Sequence, residues 1–257
     1  MDFNFDEDQR MLVDAANKFF EKEAPKSLIR ELLHDEKGYS PEMWNKMSEL
    51  GWMGLIFDEE FGGIGGDFLQ LAIIFEEIGK AALPSPFFST VVLTGLLLQD
   101  CGSTQIKQQY LPKIAEGQTI STLAVVGKSG IYGKNDVGLE AEPVEGGYKI
   151  NGSASFVPYA HVADNILCAA RTSSGDDAGV TLFMMDGKAD GLETIPLNTI
   201  TGIGKECKVN CKEVKISSEQ IVGEIGKGWQ YLEKLLPKIA VLLSCECVGG
   251  LKKMMEM

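Results

Sequence analysis

A chain of 257 residues with 44% hydrophobic content is long enough for one large or two modest domains. Its formal net charge of −13 excludes a nucleic-acid backbone as a natural partner, because phosphates are held by Lys and Arg. Cys101, Cys168, Cys207, Cys211, Cys245 and Cys247 form no C-x-x-C pair and only His34 and His161 accompany them, so free thiols are expected rather than a metal site or Ser-His chemistry.

The first residues, Met1 to Asp8, are acidic and lack a basic flank before a long apolar core, so no signal peptide is expected. The apolar run Val91 to Leu98 is too short to span a bilayer. Together these point to the cytoplasm and to no membrane insertion. Residues 1–118 read as helices. Asp6 to Glu23 carries Met11, Leu12, Ala15, Ala16, Phe19 and Phe20 on one face, and Pro25 closes it. Ser40-Pro41 reads as an N-cap and first helical position, with Gly51 as the stop. Asp67 and Gln70 form a capping-box pattern for a helix to about Gly79. Further helices are expected over Phe87 to Gln99 and, after Ser103 as cap, over Thr104 to Glu116. The run Gly62-Gly63-Ile64-Gly65-Gly66 follows no strand and is not G-x-G-x-x-G, so it reads as a tight connection between helices, not a phosphate loop.

From Thr119 to about residue 226 the period falls to two. Strands are expected over Ile120–Val126, Leu139–Pro143, Tyr148–Ile150, Ser155–Val157, Val162–Ala170, Val180–Asp186 and Val214–Ile216, with Gly146-Gly147 and Asn151-Gly152 as hairpin turns. The run Ser173 to Asp177 reads as a solvated turn. No long helix interrupts the strands, so a mostly antiparallel barrel or sandwich is expected. From Trp229 a long helix returns, with Leu232, Leu235, Leu236, Ile239, Leu242 and Leu243 on a broad apolar face. Pro237 should kink it or mark its first turn, and Gly249-Gly250 allow close packing. The fold class is thus α+β: an all-helical domain (1–118), a middle antiparallel β-barrel or sandwich (119–226) and the start of a helical domain (227–257), whose apolar face calls for a partner.

Several stretches resemble one family in consistent order along the whole chain. They are Glu49-Leu50-Gly51-Trp52-Met53-Gly54 with Glu59 to Gly65, Glu77-Ile78-Gly79-Lys80-Ala81, and Tyr110 to Gly117. Asn151-Gly152 with Ala163-Asp164, Ala169-Ala170-Arg171-Thr172, and Gly223 to Trp229 continue the match. The chain resembles the acyl-CoA dehydrogenases. The resemblance implies FAD as cofactor, an acyl-CoA substrate, an electron-transfer acceptor and a homo- or hetero-oligomer. It also implies α,β-dehydrogenation, in which a carboxylate removes the α-proton while hydride leaves the β-carbon. It places the flavin against Leu123, Val125, Val126, Phe156, Val157 and Pro158, mostly through backbone groups and ring packing.

Three departures stand out. Where the family opens its β-domain with Thr-Glu-Pro and Gly-Ser-Asp, this chain has Leu123 to Gly127 and then Lys128-Ser129-Gly130. Where the family has a Ser/Thr hydroxyl serving the flavin, Pro158 stands, without hydroxyl or N–H. The family position for a base on the last helix falls near Lys238-Ile239-Ala240, which offers no carboxylate; Glu233 and Glu246 read as solvated or interhelical groups. The helical domain reads as truncated to its first helix, and no catalytic residue is assigned. The expectation is an FAD-dependent acyl-CoA dehydrogenase-type subunit that is incomplete or needs a partner for catalysis. The alternative is a non-catalytic structural subunit, or degenerate paralogue, that keeps the fold without flavin chemistry. A lipid- or acyl-carrier-binding module is a third reading, resting only on an apolar cleft between helices and sheet.

Overall fold

The computed structural model describes residues 4–172, 179–200 and 205–257. Local signals place the first helices. The Asp6 carboxylate accepts from the Gln9 amide, and the Gln9 side chain accepts from the Asp6 amide, so two orphan donors are satisfied at the start of α1 (Glu7–Glu23). Pro25 then sits at the N-cap of α2 (Lys26–His34), a helix the sequence reading missed. Proline ends one helix and is equally compatible with the start of the next, where no amide partner is needed. Ser40 caps α3 (Pro41–Glu49), and Asp67 with Gln70 builds the expected capping box on α4 (Phe68–Ala81). The stretch expected as one helix over 87–99 is a π-helical run, Phe88–Leu96, that continues as α5 (Leu97–Cys101). Ser103 caps α6 (Thr104–Ala115).

The strands are β1 (Ser121–Ala124), β2 (Leu139–Val144), β3 (Gly147–Pro158), β4 (Asn165–Arg171), β5 (Val180–Asp186), β6 (Leu192–Pro196), β7 (Glu206–Ser217) and β8 (Ile221–Val222). They form one sheet in the order β6-β7-β3-β2-β4-β5-β8, and the expected barrel is corrected to an open sheet whose ends, β6 and β8, do not pair. Nor is it wholly antiparallel: β4 takes β5 antiparallel, but β1 and β2 parallel. β1 occupies Asn165 to Cys168 and β2 only Ala170 and Arg171, so the sheet splits where β1 meets the end of β3. The sheet curls enough for Tyr148 on β3 to meet Phe183 on β5, with ring centroids 5.0 Å apart.

The Asn151-Gly152 hairpin is also corrected. Both residues lie inside β3, which runs unbroken, and the turn from β2 is at Gly146, with φ 79°. Gly152 instead lies opposite a register shift whose extra residue is on β7, where Glu213 has φ 54°; Gly152 itself has φ 114°, and an ideal Cβ there would sit 2.2 Å from the Gly138 carbonyl oxygen. A close backbone approach and a tight turn both call for glycine, so the dipeptide alone does not distinguish them. The run Ser173 to Asp177 lies outside the described residues.

α7 (Gly228–Met255) crosses α4 at glycines. An ideal Cβ on Gly249 would stand 1.9 Å from the Glu76 carbonyl oxygen, and one on Gly79 1.9 Å from that of Glu246. Leu232, Leu235 and Leu242 are buried, whereas Leu236, Val241, Leu243, Val248, Leu251 and Met254 face outward. A single hydrophobic cluster runs from Ala16 in α1 through the sheet to Leu242. Polar bonds pin the connection between α6 and β1 at both ends: Trp44 Nε1 donates to the Gly117 carbonyl at 2.7 Å, and the Asp164 carboxylate accepts from the Ile120 amide at 2.9 Å. Among the described residues no helix is long and apolar enough to cross a membrane.

Candidate functional site

The residues named from the resemblance converge where β1, the end of β3 and the loop after β1 meet. β1 is bound by strand pairing on one edge only, to β4. On the other edge the Ser121 amide and carbonyl are both engaged by the Thr90 hydroxyl, each at 3.0 Å. The two-residue period of a strand puts the amides and carbonyls of Leu123 and Val125 on that same edge. Their side chains are buried in the core, so backbone is all they present. The Thr122 hydroxyl donates to the Pro158 carbonyl at 2.6 Å and the Ser155 amide to the Val126 carbonyl at 2.7 Å, which clamps β1 to the end of β3.

Between Ala154 and Val157 the register against β7 shifts again, and Phe156 sits in this bulge with φ 55°. A bulky residue in the left-handed region carries strain of roughly 1 kcal/mol. Its ring is 53% exposed, the side chains on either side of it in the register, Ala154 and Val157, being buried. The ring lies under the loop 127–136, 3.2 Å from where a Gly130 Cβ would be. That loop is closed by Asp136, whose carboxylate accepts from the amides of Gly127 and Ser129 at 3.1 and 3.2 Å. The Ser129 hydroxyl first, then those backbone amides, hold the Asp136 carboxyl below its ordinary range. Ile131 and Tyr132 on the same loop are exposed, and Tyr132 packs on Trp229 at the start of α7, ring centroids 5.2 Å apart.

Beyond Pro158, Tyr159 also has positive φ, 54°, and its hydroxyl donates to the Gly38 carbonyl at 3.2 Å. Burial, then the charges of Glu206 and Glu246, push its phenol up. Sequence reasoning missed Glu206, which pairs with Pro158 in the β3–β7 register. Its Oε2 is buried without a hydrogen-bond partner, and burial alone raises its pKa. Nothing in the alternating charged sequence of β7 distinguishes it, since burial there depends on packing. Cys207 Sγ lies 3.4 Å from His161 Nδ1; burial pushes the thiol up and the imidazole down, so both rest uncharged.

On α7, the Glu233 carboxylate accepts from Trp229 Nε1 at 2.8 Å, and Lys238, at the position expected for a base, pairs with Asp100 at 2.8 Å. Glu246 is half-buried with its pKa raised by burial. Among the described residues no three His, Cys, Asp or Glu side chains are grouped to hold a metal ion.

The order of helices, open sheet and long glycine-crossed helix is that of the acyl-CoA dehydrogenase fold: an acyl-CoA dehydrogenase from Geobacillus kaustophilus superimposes with a TM-score of 0.89 at 23% identity, over 99% of this chain and 68% of that one. Residues 6–118 match the family described as acyl-CoA dehydrogenase, N-terminal domain. The short/branched chain specific acyl-CoA dehydrogenase of Bos taurus mitochondria is 26% identical over 251 residues, covering 94% of this chain and 57% of that protein. The mitochondrial isovaleryl-CoA dehydrogenase of Solanum tuberosum is 26% identical over 224 residues, covering 84% of this chain and 54% of that protein. The chain therefore spans little more than half the length of these relatives. The resemblance read from its motifs holds: residues 6–118 carry the acyl-CoA dehydrogenase N-terminal domain, and the chain is similar to acyl-CoA dehydrogenases along most of its length.

Proposed function

We propose that this chain is an FAD-dependent subunit of acyl-CoA dehydrogenase type, acting in α,β-dehydrogenation of an acyl-CoA thioester within an assembly that supplies the base. The observation that carries the flavin is Phe156: a large aromatic held in a strained backbone conformation, its ring half-exposed beside the one-sided edge of β1. Strain kept at a surface ring is better explained by a partner for that ring than by folding. The donor set fits a planar heterocycle, because the Leu123 and Val125 backbone edges offer amides and carbonyls while Phe156 and the partly exposed Pro158 offer apolar surface, with Val157 packed behind them. Bound FAD would accept the hydride equivalent that leaves the β-carbon. Leu123, Val125, Val126, Phe156, Val157 and Pro158 would hold it.

The carboxylates of α7 support a base from elsewhere, since Glu233 is already bonded to Trp229 and the expected base position is a paired lysine. The outward apolar residues of α7 favour a homo- or hetero-oligomer, and light scattering that gave a stable monomer would oppose this. The electron acceptor is read as a separate carrier. A second reading, a structural subunit without flavin, is favoured by Pro158, which can donate no hydrogen bond at the position where the resemblance expects a hydroxyl. The visible absorption spectrum of the purified chain, with and without added FAD, separates the two. A bound-flavin band that weakens in Phe156→Ala supports the first; a chain that stays colourless with excess FAD supports the second.

A further inference from the structure

A second cavity, of about 740 Å3, opens between α1, α2, the end of α4 and the end of α7, and shares no lining residue with the Phe156 region. Its volume lies in the range of small-molecule sites. Phe20, Ala24, Ile29 and Met254 give it an apolar wall. Lys26 and Arg30 stand at its lip, one turn apart on α2, and neither has an ion-pair partner among the described residues. Deeper in, Glu77 is 2% exposed but already neutralised, accepting from Lys80 Nζ at 2.9 Å and Asn17 Nδ2 at 3.1 Å. Lys253 is engaged by Glu256 at 3.2 Å. The lining thus holds two cations and one acid, Glu21, without an ion-pair partner among the described residues, in an otherwise acidic protein.

An apolar wall with cations confined to one lip fits a ligand that is anionic at one end and hydrocarbon along the rest. Arg30 presents the planar fork that takes a carboxylate through two parallel hydrogen bonds, with Lys26 adding a point charge. A bulky dianion such as a nucleotide would leave the Phe20, Ile29 and Met254 wall unused and bring its polar surface against it. We propose that this cavity binds a long-chain aliphatic carboxylate, tail along Phe20, Ile29 and Met254, head at Lys26 and Arg30. It does not depend on flavin binding elsewhere in the chain.

The test is titration of the whole chain with cis-parinarate, a fluorescent fatty acid, below its micelle concentration. Saturable one-to-one emission is expected, displaced by laurate and at least tenfold less well by dodecanol. The double variant Lys26→Ala, Arg30→Ala should weaken binding about tenfold or more, and Ala24→Trp, which fills the trough, should abolish it. Phe156→Ala should leave it unchanged, which separates this site from the flavin reading. Each variant is checked by thermal melting, and Ile29→Trp replaces Ala24→Trp if that variant does not fold. Emission that does not saturate, equal displacement by dodecanol, or unchanged affinity in the double variant would overturn the proposal.

Discussion

Adjacent glycines on α7 should respond to alanine with opposite signs. At Gly249 the new Cβ would lie 1.9 Å from the Glu76 carbonyl oxygen, 2.8 Å from its carbon and 3.0 Å from the Lys80 amide nitrogen, all backbone atoms of α4. Ordinary contact begins at 3.4 Å, so the helices must part by about 1.5 Å, and close-packed interiors do not absorb that locally. Overpacking costs roughly 1–3 kcal/mol or more, while alanine's better helix propensity returns only about 1 kcal/mol. The partner clash is mirrored at Gly79, where the Glu246 carbonyl leaves the same gap, so the crossing cannot slide to relieve one end without loading the other. At Gly250 the nearest atom is the Gly79 carbonyl oxygen at 3.6 Å, an ordinary contact, and the propensity gain stands alone. Gly249→Ala is therefore expected to lower stability by about 2 kcal/mol, and Gly250→Ala to raise it by up to about 1 kcal/mol. At this chain length each kcal/mol moves Tm by roughly 2–4 °C, readable by circular dichroism or calorimetry. If Gly249→Ala melted at or above the parent, or Gly250→Ala melted lower than Gly249→Ala, glycine-mediated helix contact would not be what holds α7 to α4.

Phe156→Gly removes strain of roughly 1 kcal/mol from a half-exposed ring, and glycine's greater freedom in the unfolded chain offsets most of this; Tm should stay nearly level while FAD uptake, read by absorption, weakens tenfold or more. Glu206→Gln removes a carboxylate whose pKa burial raises, and whose folded-state stability is greatest when it is protonated and declines as pH rises through that pKa. The variant should thus melt higher than the parent at pH 7.5, with the gap narrowing as pH falls towards 4.5; a constant gap would mean that the charge is solvated. Asp67→Ala breaks the α4 capping box and should cost about 1 kcal/mol in denaturant unfolding.

Much of the helical half was legible because its signals are local. Asp6, Ser40, Asp67 and Ser103 each bond an amide three residues on, and nothing distant is needed to recognise that. The β half was legible in its strands and not in their assembly. Val180–Asp186 was expected with those bounds, yet Asn151-Gly152 was expected to turn where β3 runs on, because only the partner β7, some sixty residues on, and the close approach of Gly138 decide which. Barrel against open sheet is likewise set by whether β6 and β8 meet, which no periodicity encodes. At the site, the named residues do gather, but two features that give it character were invisible. The left-handed turn of Phe156 arises from the register with β7, and the buried Oε2 of Glu206 from packing over the same bulge.

That bulge explains why the candidate site lies where it does. An aromatic on a regular strand packs against its neighbours and onto the core, as Tyr148 does, tilted 59° against Phe183. One extra residue between Ala154 and Val157 keeps both of those side chains buried while turning Phe156 outward. The strain is tolerable because the segment is over-determined on either side: Ser155 is bonded to Val126, Pro158 to Thr122, Tyr159 to Lys205 and Gly38. Those bonds come from β1, the loop before β7, and the helical half of the chain. The ring is therefore presented by the junction of helices and sheet, and substitutions that loosen the junction, Thr122→Val first among them, should reduce flavin uptake without touching any residue of the wall.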